Sequence, residues 1–213
     1  DYQIFSQQSY FVQSANPSPF VHLWYVSLYV QLLIVGYLLR KLMKKLNFLR
    51  MQEFALLAFL TLASAAGMAA LYWFEQDPSH VYYLVSTRLF SFTFGALLSY
   101  IHEGKLLLPE RESGSVVPNV LSLLCLVALG WMFTTFNGTQ AEVYYMMMFI
   151  SSFVIMLLLS CTIREGVGVH YLFSFKGFTF FGKRSFSYYL WFYPIHLIAP
   201  TFLREINEQW LSE

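Results

Sequence analysis

Charged side chains are scarce in this sequence. Aspartate, glutamate, lysine and arginine make up 12% of 213 residues, about half the share of an ordinary soluble domain. So few charges cannot clothe a water-exposed surface, which excludes a soluble globular protein, and a net charge of +1 lacks the basic footprint of a nucleic-acid binder. Cysteine is nearly absent: Cys125 and Cys161 fall where a bridge is not expected and read as small apolar packers. The five histidines show no zinc-like spacing, so no metal is expected. No internal repeat or low-complexity tract is visible. What is abundant is hydrocarbon, 57% hydrophobic and 20% aromatic, and the fold class it implies is an all-α polytopic transmembrane bundle.

Six stretches are long and apolar enough to cross about 30 Å of lipid, at roughly 22–39, 54–74, 81–101, 116–136, 142–162 and 185–203. The first connecting loop carries Arg40, Lys41, Lys44, Lys45 and Arg50, the third Lys105 and Arg111, and the fifth Arg164, Lys176, Lys183 and Arg184. The second, "EQDPSH", and the fourth, "NGTQAE", carry no lysine or arginine. By the positive-inside rule the odd loops face the cytoplasm, so both ends of the chain are expected outside. An external start needs a preceding signal or earlier spans, and "DYQIFSQQSY" contains neither a methionine nor an apolar signal core. The chain is therefore expected to be the C-terminal part of something longer. The longest connector, 163–184, contains "YLFSFKGFTFFG", which either lies along the inner membrane surface or forms a buried connection.

Three spans carry polar groups that hydrocarbon would not tolerate unpartnered. In the first, His22 stands at the head, and Trp24, Ser27 and Gln31 share one face at i, i+3 and i+7. Gln31 lies about 13 Å along the helix, where its amide is either interhelical glue or the wall of a pocket. In the third, "STRLFSFTFGALLSY" places Arg88 about two turns into the membrane, followed on the same face by Ser91 and Gly95. A guanidinium there costs about 2.5–3.5 kcal/mol on insertion scales, so it either snorkels or has a job, and no acidic residue lies at its depth. In the sixth, Tyr189, Tyr193 and His196 share a face, and Pro194 removes a backbone donor, freeing the carbonyl of Leu190. That face is either an aromatic packing stripe or a cavity border.

These segments resemble the motifs of the acyltransferase-3 family of integral-membrane acyltransferases. "SP..HLWYVSLYVQ" is similar to the family's H-x-W-S/Y-L-S/A-V-E-x-Q. "STRLFSFTFGALLSYI" resembles its D/S-T-R helix with a glycine seven residues on, and "FGKRSFSYYLWFYPI" its closing L-G-x-x-S-Y-x-L-Y-L-W-H-x-P-I. The three fall in family order over 16–198. The first motif and the expected external C-terminus look most like the Gram-positive peptidoglycan O-acetyltransferase branch, in which an extracellular SGNH-type domain commonly follows.

The resemblance implies about ten helices in a complete member, with the family's catalytic histidine on a helix preceding this chain. It matches His22, Trp24, Ser27 and Gln31 to the first motif, Arg88 to the second, and Ser187, Tyr189, Trp191 and Pro194 to the third. Two positions depart: Tyr29 stands where the family usually has glutamate, and Phe192 where many members have histidine. The implied reaction moves an acetyl or short acyl group from cytoplasmic acyl-coenzyme A to a hydroxyl of an extracytoplasmic envelope glycan, in a bacterial plasma membrane. No bound cofactor is implied. His22, Gln31, Arg88 and Tyr189 are then the catalytic candidates. Trp24, Ser27, Ser91, Ser187, Trp191, Pro194 and His196 line the pocket. Arg40, Lys44, Lys183 and Arg184 either meet the coenzyme's phosphates or serve topology and anionic lipid. The rival readings are a glycan transporter, against which the spans lack an acidic proton relay, and a non-catalytic scaffold, which Tyr29 favours.

Overall fold

The computed structural model describes residues 21–75, 78–103, 116–138, 140–164 and 166–210, and every regular element among them is helical. A single 3-10 turn, Val21–Leu23, leads into α1 (Trp24–Lys45). There follow α2 (Arg50–Glu75), a short α3 (Pro78–Tyr83), α4 (Val85–Glu103) and α5 (Val116–Thr135). A wide π-helical turn, Val143–Met147, runs directly into α6 (Met148–Thr162). The short α7 (Gly168–Ser174) and the 35-residue α8 (Lys176–Trp210) close the described chain.

Five helical stretches are long and apolar enough to span a membrane: Trp24–Lys45, Arg50–Glu75, Val81–Ile101, Val116–Thr135 and Val143–Thr162. They coincide with the first five expected spans. The sixth, 185–203, lies within α8, which runs through Pro194 and Pro200 without a break but is not among the five. Its tyrosines, prolines and basic start make it more polar than the others. The "YLFSFKGFTFFG" connector is not one unit. It divides at Phe175, whose extended backbone separates α7 from α8.

The layering follows from which faces can approach. On α2 the buried residues Leu57, Thr61, Ser64, Met68 and Tyr72 recur every three or four positions, while Phe59, Leu62, Trp73 and Phe74 are exposed. On α5 the buried face is Pro118, Ser122 and Cys125, and Leu123, Leu124 and Phe133 point out. The small and hydroxylated residues on these inner faces, Thr61, Ser64, Ser122 and Cys125, let helices approach closely, as helix contacts in lipid require. The α2 face packs most extensively on α4, α4 packs on α6, and α5 lies on the other side of α6. A first core joins Leu57, Met68, Phe90, Phe94, Tyr144 and Met156; a second places the free Cys125 and Cys161 with Leu158, Val167 and Val169.

Hydroxyls sew these layers together. Thr61 and Thr93 share a hydrogen bond of 2.7 Å between α2 and α4. Ser64 donates to the carbonyl of Ser86 at 2.5 Å and accepts from the amide of Phe90 at 3.1 Å, clamping both ends of one rung of α4. Tyr72 stacks on Tyr144 at 4.8 Å and meets Tyr145 edge-on at 5.3 Å. Consecutive residues of an α-helix diverge by about 100°, and the wide turn lets both rings reach one partner. Tyr144 also donates to the carbonyl of Gly138 at 2.7 Å, fixing the loop before α6. Together with Trp24 meeting Tyr82 and Tyr83, these contacts bring the start of α1, the α2–α3 junction and the α5–α6 loop to one end of the bundle. The Leu46–Leu49 turn between α1 and α2 stands at the other.

Candidate functional site

His22 lies in the turn that opens α1, and α8 crosses beside it. Its Nε2 is 3.2 Å from the carbonyl oxygen of Leu190, and its own backbone carbonyl accepts a short hydrogen bond from the hydroxyl of Tyr189. The rings of Tyr189 and Tyr193 stand 5.3 and 5.4 Å from the imidazole. The Nδ1 atom is shut off from solvent and has no hydrogen-bond partner among the described residues. Pro194 is buried, whereas Trp191, Phe192 and Ile195 around it are exposed, so the proline faces inward.

Arg88, in the first turn of α4, is held by the corner that precedes it. Its Nε donates to the carbonyl of Tyr82 at 3.2 Å, and its guanidinium carbon sits 4.1 Å from the centre of the Tyr82 ring. Thr87 holds the same corner, with its hydroxyl 2.6 Å from the carbonyl of Val81 and 2.8 Å from that of Leu84. The Nη2 nitrogen of Arg88 is buried without a hydrogen-bond partner among the described residues. Arg88 is therefore an oriented donor in a dry setting, with one nitrogen uncommitted.

Aromatic rings join these two groups. The Tyr82 ring under Arg88 is 4.7 Å from that of Trp24, and Tyr83 meets Trp24 edge-on at 5.2 Å. Tyr25, next in the chain and 5.8 Å from Trp24, is 6.4 Å from Tyr189, which adjoins His22. Segments more than 100 residues apart in sequence thus meet at one end of the bundle through Trp24, Tyr82 and Tyr189. Tyr82 was not singled out from the sequence because it falls at the very start of the third span, in a six-residue helix set off from α4, although "VYYL" directly before the Arg88 helix carried an aromatic signal.

The other expected site residues are distributed differently. Gln31 donates to the hydroxyl of Ser27 at 3.1 Å, so the shared face is real but the partner is on its own helix. Ser91 is exposed and bonds to Ser152 of α6 at 3.2 Å. Ser187, Trp191 and His196 are exposed, with His196 stacked on Phe192 at 6.1 Å. Arg40, Lys44, Lys183 and Arg184 are exposed too, and Arg184 turns back over Phe180 of its own helix at 3.8 Å. The two departures, Tyr29 and Phe192, are both about half exposed and lie outside the His22 and Arg88 contacts.

Fold and site together define an integral-membrane helical bundle with an oriented cation and an oriented imidazole gathered at one end. The chain belongs to the acyltransferase-3 family: that family's model, an acyltransferase domain, matches residues 2–212. It is 28% identical over 208 residues to YrhL of Bacillus subtilis (strain 168), covering 96% of this chain and 32% of that protein. It is 30% identical over 209 residues to the peptidoglycan O-acetyltransferase OatA of Listeria monocytogenes, covering 94% of this chain and 32% of the relative. To the O-acetyltransferase OatA of Staphylococcus aureus (strain NCTC 8325) it is 26% identical over 199 residues, covering 91% and 32%. The chain thus spans about a third of the length of these relatives. No solved structure matches it.

Proposed function

We propose that this chain forms part of a plasma-membrane O-acetyltransferase that takes an acetyl group from cytoplasmic acyl-coenzyme A and delivers it to a hydroxyl of an extracytoplasmic glycan, peptidoglycan being the acceptor that the relatives' names suggest. The observation that carries this reading is the meeting of all three family motifs at one end of the bundle, with Arg88 Nη2 and His22 Nδ1 both buried and uncommitted. Acyl transfer needs donors aimed at the oxygen that gains charge, and a dry setting strengthens them. Arg88 supplies such a donor, with its plane fixed by Tyr82. His22, in the turn just before Trp24, supplies a proton acceptor at the same end of the bundle. Tyr189 holds the start of α1 to α8, and Gln31 with Ser27 gives a polar strip leading down α1. Arg40 and Lys44, exposed toward the other end of α1, are the cations assigned to the coenzyme's phosphates; Lys183 and Arg184, about 10 Å along α8 from Leu190, stand nearer the His22 end.

The test is a pair of variants in the full-length protein. Arg88→Lys keeps the charge but loses the planar fork, so it is expected to fail almost as badly as Arg88→Ala, by about a hundredfold or more in turnover, near 3 kcal/mol. Glycan acetylation is measured against the amount of correctly inserted protein. An arginine that merely pins the α3–α4 corner gives the reverse, less protein with near-normal activity per inserted molecule, and a lysine variant with most of its specific activity eliminates the bidentate role.

A further inference from the structure

We propose that Pro194 is a positioning residue that sets the tautomer of His22, leaving Nδ1 as the proton acceptor of the site. In an uninterrupted α-helix the carbonyl of Leu190 would accept the amide hydrogen of residue 194. Proline has none, and α8 nevertheless continues as helix through that position. The orphaned carbonyl is part-buried against the start of α1, where an unsatisfied acceptor is costly. His22, 168 residues away in sequence, answers it: Nε2 sits 3.2 Å from the Leu190 oxygen.

A carbonyl only accepts, so Nε2 carries the proton. A neutral imidazole has one N–H, which places the lone pair on Nδ1. That atom is buried and unpartnered. If Nδ1 were protonated as well, a cation would have a dry donor with nothing to receive it, a much costlier arrangement. Tyr189 and Tyr193 flank the ring, and the Tyr189 hydroxyl holds the backbone carbonyl of His22, so both its position and its orientation are defined. The freed carbonyl does for His22 what a carboxylate does for many catalytic histidines, and it does so without bringing a negative charge to the site.

The chemical consequence rests on the acyl-transfer reading. The acceptor hydroxyl donates to Nδ1. As its oxygen bonds to the acyl carbonyl carbon, its proton passes to Nδ1; the leaving atom of the acyl donor departs with its bonding pair and takes that proton, returning the imidazole to its neutral form. Pro194 touches no reactant and acts through the Leu190 carbonyl.

The experiment uses full-length protein with ¹⁵N-labelled histidine, the His22 signals being assigned by difference from His22→Gln. Wild type is expected to show a protonated ε2 and an unprotonated δ1 nitrogen, and a δ1-protonated His22 overturns the proposal without any activity measurement. Pro194→Ala restores the competing amide. It is expected to lose the single-tautomer signature and at least about tenfold in turnover, with acceptor KM changed much less. Replacing Pro194 by lactic acid, the ester counterpart of alanine, removes the amide hydrogen again without a ring and is expected to recover both. Pro194→Ala with the wild-type tautomer, or an ester that recovers nothing, overturns the assignment. If tautomer control is found but no variant or wild type acetylates glycan, the positioning stands and the acyl-transfer reading fails.

Discussion

Hydroxyl groups hold this bundle where apolar side chains alone would slide. In lipid, burying a leucine against another helix gains little over burying it against acyl chains, so specificity falls to groups that need a particular partner. Thr61 and Thr93 meet at 2.7 Å between α2 and α4, and Thr61 also lies 2.7 Å from the carbonyl of Leu57. Thr93 likewise lies 3.1 Å from the carbonyls of Leu89 and Phe90, so with one hydrogen on each hydroxyl, one threonine donates across while the other serves its own helix. The interhelical part is expected to be modest. A double-mutant cycle of Thr61→Val and Thr93→Val, read by unfolding in detergent micelles, should give a coupling of about 0.6 kcal/mol, and a value indistinguishable from zero removes the pair from the account. What was legible at this scale is instructive. Arg88 stood out from the sequence because a guanidinium is intolerable in hydrocarbon, and the need to re-satisfy the Leu190 carbonyl was readable from Pro194. The partners were not readable: Tyr82 beneath Arg88 and the imidazole of His22 at Leu190 are set by how helices dock, which no single-helix pattern contains.

At the scale of elements, one close approach decides where α1 sits. A β-carbon built on Gly36 would lie 2.6 and 2.7 Å from ring atoms of Phe92 on α4, nearer than van der Waals contact allows. Glycine is what lets the ring lie against the α1 backbone, and Leu39, on the next turn of α1, packs against the first core. Gly36→Val is therefore expected to push α1 from α4 and lower stability by about 1–3 kcal/mol, the usual cost of overpacking. Adding Phe92→Ala should return part of that loss, and a double variant no better than the single one would show that the Phe92 contact is not the cause. The first five spans were legible because each is a continuous apolar run. The exceptions have physical reasons. Helix α8 carries tyrosines, two prolines and a basic start, and its polarity belongs to the site rather than to lipid. The wide turn opening α6 leaves no mark on hydropathy, since it serves to bring Tyr144 and Tyr145 together onto Tyr72.

At the scale of the whole molecule, the contacts fix which loops share an end, and this can be compared with the charge pattern. Stacking of Tyr72 on Tyr144 brings the α5–α6 loop to the same end as the α2–α3 junction, and Trp24 against Tyr82 adds the start of α1. The basic turn after Lys44 and Lys45 lies opposite. The sequence reading reached this alternation from lysines and arginines alone, because loop charge is what the insertion machinery reads. Which end is extracytoplasmic is open to direct measurement, and the same rule predicts the outcome. In cells expressing the full-length protein, with Cys125 and Cys161 replaced by alanine, Asn137→Cys should react with a membrane-impermeant thiol reagent added outside. Lys45→Cys should react only after the membrane is breached, both positions being exposed. The opposite pattern would put the Arg88 and His22 site on the cytoplasmic side, next to the coenzyme rather than the glycan. The transfer would then need a separate step to carry the acetyl group across. Labelling of neither position before or after permeabilisation, with the protein inserted, would mean that other segments of the full-length protein cover both ends.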